Sequence, residues 1–208
     1  MATHLAARPE PMDFYSALGA IKGVLADKPE VYLANEGANT LDIARNVIDM
    51  RLPRKRLDSG TWGVMGIGLG YAIGATIVSG KPVVAIEGDS AFGFSGMEIE
   101  TICRYHLPIV IVVFNNGGIY RGDDVNRNGG ADPAPTVLMK QARYEKLIEA
   151  FGGIGYCAVD PHELTKALSD ALASGQPALI NCAIDPAAGT ESGHIGNLNP
   201  QNSIPEKK

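Results

Sequence analysis

The sequence has few cysteines, few aromatic residues and no excess of basic charge, and each shortage excludes a class of protein. The three cysteines, Cys103, Cys157 and Cys182, are too widely spaced for a paired C-x-x-C metal or redox site. Aromatic residues make up 6% of the chain, which provides no stacking platform for single-stranded nucleic acid. A formal net charge of −5 argues against electrostatic capture of nucleic acid or of an anionic membrane. The composition favours a reduced, cytoplasmic protein with neither partner.

Long apolar runs are also missing, so no membrane-spanning helix is predicted. The contents of charged residues (20%) and hydrophobic residues (45%) are those of a globular protein, and 208 residues suit one core. Glycine is the residue in excess: there are 25, and fifteen of them lie between Gly60 and Gly130. They have no period of three and are mixed with apolar residues, which excludes a collagen-like chain and predicts close backbone approaches inside a folded domain.

Strand and helix patterns alternate along the chain. The β-branched run Ile109–Phe114 is typical of a strand buried on both faces, and the shorter apolar run Val83–Glu87 precedes it. Helical patterns cover Phe14–Leu25 and Pro161–Ala173. Further helices are predicted at 40–50, 63–78, 95–105 and 142–151, further strands at 31–34, 154–159 and 178–184, and loops at 51–56 and 115–135. This order predicts an α/β fold with three α/β/α layers and a mostly parallel sheet.

The chain divides into three predicted parts. Residues 1–11 have the composition of a linker, residues 12–184 hold the alternating elements and form the predicted domain, and residues 185–208 form a tail with few apolar residues. In a parallel α/β domain, ligands bind beyond the carboxyl ends of the strands.

Polar residues follow directly after two predicted strands. Gly88-Asp89-Ser90 ends the first, and Asn115-Asn116-Gly117-Gly118 ends the second. Because the carboxyl ends of neighbouring parallel strands lie side by side, Asp89 and Asn116 could present oxygens to one cation, with the Gly118 carbonyl as a further ligand. Mg²⁺ with a diphosphate suits these oxygens, and a helix predicted from Ser95 would point its positive end there. The alternative is two ordinary turns in which Asp and Asn are turn residues.

Taken together, the two turns resemble the diphosphate-binding motif of the thiamine diphosphate enzymes, which begins Gly-Asp-Gly and ends Asn-Asn. Ser90 replaces the last glycine here. The flanking segments, Glu87-Gly-Asp-Ser-Ala-Phe-Gly-Phe-Ser-Gly-Met-Glu98 and Asn115-Asn-Gly-Gly-Ile-Tyr-Arg-Gly122, are similar to the oxalyl-CoA decarboxylase branch of that family, where Asp-Ser is usual. The resemblance runs from about Pro11 to Pro200, nearly the whole chain. It implies the family's thiamine diphosphate-binding fold.

The resemblance also implies roles for individual residues. Asp89, Asn116 and the Gly118 carbonyl would bind Mg²⁺, Gly63 would offer its carbonyl to the 4′-amino group, and Met65 would be the wedge that bends the cofactor. The implied cofactor-binding residues are Gly63, Met65, Gly88, Asp89, Ser90, Ala91, Asn116, Gly118, Ile119 and Tyr120. The implied catalytic residues are Tyr120 and Ser192, and His194 stands where relatives have Arg or His.

The implied reaction is the decarboxylation of oxalyl-CoA to formyl-CoA and CO2, with thiamine diphosphate and Mg²⁺ as cofactors. In this family the activating glutamate lies in a separate N-terminal pyrimidine-binding domain, and these 208 residues match only the C-terminal third. We therefore expect a homo-oligomer or pairing with a chain that carries the pyrimidine domain. Two alternatives stay open: part of a 2-hydroxyacyl-CoA lyase, or an inactive cofactor-binding fragment. A nicotinamide site is disfavoured, because Gly66-x-Gly68-x-Gly70 lacks the G-x-G-x-x-G spacing.

Overall fold

A six-stranded sheet with helices on both faces organises residues 11–121 and 133–190, the part of the chain that the structure, a computed structural model, describes. The strands are β1 (Tyr32–Glu36), β2 (Arg56–Asp58), β3 (Val83–Gly88), β4 (Ile109–Asn115), β5 (Ile154–Ala158) and β6 (Ala178–Ala183). The helices are α1 (Phe14–Leu25), α2 (Ala38–Val47), α3 (Gly68–Ser79), α4 (Asp89–Ser95), α5 (Glu98–Arg104), α6 (Glu145–Ala150) and α7 (Pro161–Ser174). Short 3-10 turns cover Gly60–Trp62 and Pro186–Thr190. The predicted α/β/α layering is confirmed.

All strand pairings within this sheet are parallel, and the strand order is β2-β1-β3-β4-β6-β5. Side chains of a strand alternate between the two faces. Val84 and Ile86 of β3 therefore pack with α1, α2 and α7, whereas Val83 and Ala85 pack with α3, α4, α5 and α6. The sheet is covered on both faces, which is why its central strands read as unbroken apolar runs.

The strand order places the topological switch point between β1 and β3. From β1 the chain crosses through α2 to β2 on one side, and from β3 it crosses through α4 and α5 to β4 on the other. The two connections leave on opposite faces of the sheet, so a crevice opens between them at the carboxyl ends of the strands.

Local sequence signals explain where the longer helices begin. Asp13 caps α1 by accepting a hydrogen bond from the Ser16 amide at 2.6 Å. Asp160 caps α7 in the same way, with Pro161 in the first turn. Met12 forms an isolated parallel bridge with Ile184 just after β6, so both predicted domain limits meet at the end of that interior strand. The limits at 12 and 184 stay a prediction.

Three sequence expectations need correction. The helix predicted from Ser95 begins at Asp89, directly after β3, and is divided from α5 near Gly96; the glycines in this segment masked its helical pattern. The helix predicted over 63–78 begins only at Gly68. The basic segment 51–56, predicted as a loop, leads into the edge strand β2 at Arg56, whose guanidinium donates to the Ile48 carbonyl at 2.6 Å.

Among residues 11–121 and 133–190, no helix has both the length and the apolar character needed to cross a membrane.

Candidate functional site

A cavity of about 670 Å³ opens at the carboxyl ends of β1, β3 and β4, at the switch point. Its walls come mainly from α2, from the start of α4, from the loop after β4 and from residues 59–65. Nine predicted cofactor-binding residues line it: Gly63, Met65, Gly88, Asp89, Ser90, Asn116, Gly118, Ile119 and Tyr120. The tenth, Ala91, does not, because its side chain is fully buried.

Asp89 lies at the floor of this cavity and is 1% exposed. Its Oδ2 accepts hydrogen bonds from the amides of Gly117 (2.8 Å) and Gly118 (2.9 Å), and its Oδ1 accepts one from Ser90 (2.7 Å). Burial outweighs these hydrogen bonds and raises the pKa of Asp89 to about 6. A bound cation would reverse this effect by favouring the ionised carboxylate. Ionising Asp89 therefore costs free energy in the cofactor-free chain, and a bound metal would remove that cost.

The loop after β4 is tied to Asp89 and folded back on itself. The Asn116 side-chain nitrogen donates to the Tyr120 carbonyl at 2.8 Å. Gly118 has a φ of 144°, and a methyl carbon built there would overlap the Thr136 carbonyl oxygen. Only glycine fits this backbone conformation. The Ile119 amide also donates a hydrogen bond to the Thr136 carbonyl at 2.9 Å.

The oxygen atoms of Asp89, Asn116 and the Gly118 carbonyl decide which metal the site can hold. No group of three or more His, Cys, Asp or Glu side chains suited to a metal occurs in the described parts of the chain. A metal at Asp89 must therefore take amide oxygens, carbonyl oxygens and ligand oxygens as well. That mixture is the preference of Mg²⁺, which keeps one or two carboxylate ligands and binds phosphate oxygens. The residues present fit a magnesium diphosphate.

Tyr120 stands at the mouth of the cavity in a conformation that is uncommon for a residue with a side chain. Its φ is 55°, and its side chain is exposed. Its carbonyl accepts hydrogen bonds from the amides of both Asn39 (3.0 Å) and Asn116 (2.8 Å), which hold the backbone in place. Strain of this kind persists where surrounding contacts over-determine it, as at ligand sites.

The loop that carries Gly63 and Met65 forms another wall. It turns through Gly63 (φ 68°) and Gly66 (φ 93°) into α3. Trp62 and Met65 are exposed on this loop, and Phe94 is exposed on the neighbouring α4. The structure thus brings the predicted wedge to the same cavity as the predicted metal ligands. Ser192 and His194 lie outside the described residues.

Sequence reasoning missed two buried carboxyl groups behind this wall. Glu36 ends β1, Glu87 lies opposite it in β3, and both are buried. The Glu36 carboxylate accepts hydrogen bonds from the amides of Gly66 and Gly68. Burial and the charge of Glu36 raise the pKa of Glu87 well above its ordinary value. A charged residue at the end of each apolar strand, followed both times by glycine, was the available signal.

The first turn of α2, directly after β1, was also missed as part of the site. Gly37, Ala38, Asn39 and Thr40 line the cavity on the β1 side of the crevice. A side chain at Gly37 would come within 3.1 Å of the Gly88 backbone nitrogen, so the two strand ends approach as closely as glycine allows. The segments Glu36-Gly-Ala-Asn39 and Glu87-Gly-Asp-Ser90 lead into the opposite walls.

Comparison with known proteins agrees with this geometry. Residues 36–182 match the family described as thiamine pyrophosphate enzyme, C-terminal TPP binding domain; thiamine pyrophosphate is another name for thiamine diphosphate. The oxalyl-CoA decarboxylase of Escherichia coli (strain K12) is 61% identical over 201 residues, 97% of this chain and 36% of that protein. The 2-hydroxyacyl-CoA lyase of Arabidopsis thaliana is 47% identical over 207 residues, 96% of this chain and 36% of that protein.

A solved structure supports the fold independently. The thiamine diphosphate-dependent 4-hydroxybenzoylformate decarboxylase of Rhodococcus jostii RHA1 superposes with a TM-score of 0.71 at 24% identity, over 85% of this chain and 33% of that chain. The chain therefore spans about a third of the length of the proteins it matches, and the resemblance read from the two strand-end motifs is confirmed. The chain belongs to the thiamine pyrophosphate enzymes and corresponds to their C-terminal, TPP-binding domain.

Proposed function

We propose that this chain holds the diphosphate of thiamine diphosphate through Mg²⁺, with Asp89, Asn116 and the Gly118 carbonyl as its ligands. One observation carries the proposal: Asp89 is a buried carboxylate whose hydrogen bonds are too weak to offset its desolvation, at the floor of a cavity lined by the other proposed ligands. A divalent cation removes that penalty.

The other residues would bind and orient. When bound, thiamine diphosphate supplies the electron sink for cleavage of a bond next to a carbonyl carbon. Gly63 and Met65, on the loop before α3, would contact the cofactor from one side of the cavity. Gly88, Ser90 and Ile119 would line the rest of its binding site. Tyr120 would close the mouth of the cavity against water, and Ser192 would act near the reacting carbons. Ala91, buried beside Ser90 at the start of α4, would complete the cofactor-binding residues.

For the substrate, we propose oxalyl-CoA, converted to formyl-CoA and CO2. The 61% identity to an oxalyl-CoA decarboxylase, against 47% to a 2-hydroxyacyl-CoA lyase, supports this choice. The activating glutamate would come from a pyrimidine-binding domain outside these 208 residues, in an oligomer that places the two domains together. The three cysteines are unpaired, which supports a reducing compartment such as the cytoplasm.

Calorimetric titration tests the cofactor site first. The chain should bind thiamine diphosphate only when Mg²⁺ is present, and Asp89→Ala should abolish that binding. Glu100→Ala, an exposed change on α5, is the control that should leave it unchanged. Retained affinity in Asp89→Ala would contradict the proposed ligands.

The substrate is tested with the pyrimidine-binding part supplied separately. Chain plus the N-terminal part of the E. coli oxalyl-CoA decarboxylase should consume oxalyl-CoA and form formyl-CoA, and Asp89→Ala should not. Cleavage of a 2-hydroxyacyl-CoA with oxalyl-CoA left intact would favour the lyase instead. Cofactor binding without turnover of either substrate would favour the inactive fragment.

A further inference from the structure

We propose that Glu36 is a positioning residue that fixes the loop 60–68, and through it the places of Gly63 and Met65 in the cofactor cavity. The effect of Glu36 on cofactor binding rests on the proposed function, whereas its effect on the loop concerns this chain alone. Glu36 does not line the cavity itself. It acts from behind the wall.

The hydrogen bonds of the loop end point to this role. The first amides of a helix have no partner within the helix and need a cap. Residue Ile67 precedes α3 and offers no side-chain cap. The Glu36 carboxylate supplies one from across the fold, because its two oxygens accept from the Gly68 amide and from the Gly66 amide just before it. A carboxylate acceptor makes these bonds stronger than neutral ones.

The backbone around Gly68 is shaped to receive this carboxylate. A methyl carbon built at Gly68 would overlap a Glu87 oxygen and lie 2.7 Å from a Glu36 oxygen. Because β1 and β3 pair Glu36 with Glu87, both carboxyl groups lie beside Gly68. Gly68 therefore leaves room for both carboxyl groups.

Apart from Glu36, the loop is held at its start by the Gly60 amide, which donates a hydrogen bond to Asp58 Oδ1 at 2.9 Å. Trp62 is 87% exposed, and Val64 and Met65 are also exposed, so the apolar side chains of the loop add little packing. A close approach of Gly66 to Phe94 is a further contact. Glu36 ends β1, which pairs with a strand on each side, so its two hydrogen bonds tie the loop to the interior of the sheet.

The test replaces Glu36 with glutamine in the cofactor-free chain. An amide presents one acceptor oxygen and turns a donor toward the second amide, so one of the two hydrogen bonds is lost. Glu145→Gln is the matched control: Glu145 is as buried as Glu36, accepts from Asn181 at 2.9 Å and lies away from the loop.

Hydrogen exchange of the Gly66 and Gly68 amides is the first measurement. Exchange should accelerate about tenfold or more in Glu36→Gln, the factor that the loss of one charge-assisted hydrogen bond represents. The fluorescence anisotropy of Trp62, the one tryptophan of the sequence, should fall as the loop loosens. Neither should change in Glu145→Gln. Unchanged exchange and anisotropy in Glu36→Gln would overturn the proposal.

Cofactor binding separates this inference from the proposed function. If the wild-type chain fails to bind thiamine diphosphate with Mg²⁺, the proposed function fails while the exchange result still decides the role of Glu36. If it binds, Glu36→Gln should weaken binding about tenfold, and equal affinities would refute the role. Should Glu36→Gln not fold, the wild-type amide proton shifts decide: Gly66 and Gly68 should be displaced downfield by the carboxylate, and ordinary shifts would refute it.

Discussion

Replacing Asp89 with asparagine should change how the stability of the cofactor-free chain depends on pH. Burial raises the pKa of Asp89 from 3.8 to about 6 in the folded chain. The folded state therefore holds its proton at pH values where the unfolded state has released it. The contribution of Asp89 to the free energy of unfolding is therefore fully present below about pH 3.8. It falls as the pH rises from there to about 6, and it stays low above that pH.

The size of the effect follows from the shift. A difference of about 2.2 pKa units, from 3.8 to 6, corresponds to about 3 kcal/mol, because one unit is worth about 1.4 kcal/mol. At 1% exposure the side chain has little solvent to screen it. Asparagine removes this titration but also loses hydrogen bonds to Ser90 or to Gly117 and Gly118, which costs about 1–3 kcal/mol at every pH.

Urea unfolding in the presence of EDTA measures this difference. The free energy of unfolding of wild type minus that of Asp89→Asn should fall by about 2 kcal/mol between about pH 4 and pH 7. The other titrating groups are common to both proteins and cancel. With Mg²⁺ and thiamine diphosphate in about hundredfold excess over Kd, wild type should gain about 3 kcal/mol near neutral pH, and Asp89→Asn should gain little.

Two results would refute this reasoning. A wild-type-minus-variant difference that is constant with pH would mean that Asp89 has an ordinary pKa, so that burial does not penalise its charge. An equal stabilisation of both proteins by Mg²⁺ and thiamine diphosphate would mean that the carboxylate does not bind the metal.

Further changes test the packing and the charges around the site. Gly68→Ala should lower the free energy of unfolding by about 2 kcal/mol or more, because the methyl group meets two carboxyl groups, whereas Gly70→Ala, with open space, should be neutral or stabilising in the same urea series. Met65→Ala should weaken thiamine diphosphate binding in calorimetry while leaving the melting temperature nearly unchanged, since Met65 is partly exposed. Burial opposes ionisation of Asp58, but the hydrogen bonds from Arg45 and Gly60 outweigh it and lower its pKa. Asp58→Asn should therefore cost about 1 kcal/mol near neutral pH, and this loss should shrink as the pH falls below 3.8.

Much of the site was predictable because its main signals are local in the sequence. Asp89 and Asn116 each follow an apolar strand directly, and parallel strands place such ends together without any further information. Helix boundaries were less accurate. The helix that begins at Asp89 contains glycines, which have low helical propensity, and only its packing through Phe92 shows that it forms.

Ala91 shows what a motif does not reveal about a side chain. It follows Ser90 immediately, but its side chain is fully buried whereas Ser90 lines the cavity, and its contact with the cofactor stays a prediction. Which side of α4 faces the cavity depends on how the helix packs on the sheet, and no neighbouring residue reveals this.

The sequence by itself determined that this chain is an α/β domain. It also predicted that its glycines are concentrated where the backbone would approach a cofactor, and that two strand ends would hold a metal and a diphosphate. Strand periods, turn residues and short motifs are properties of neighbouring residues, so the sequence displays them directly. Tertiary structure alone decided that Glu36 lies beside Glu87, that Gly68 leaves space for both, and that the crevice opens between β1 and β3. These features depend on which distant strands pair and in what register, and pairing is settled by packing across the whole domain.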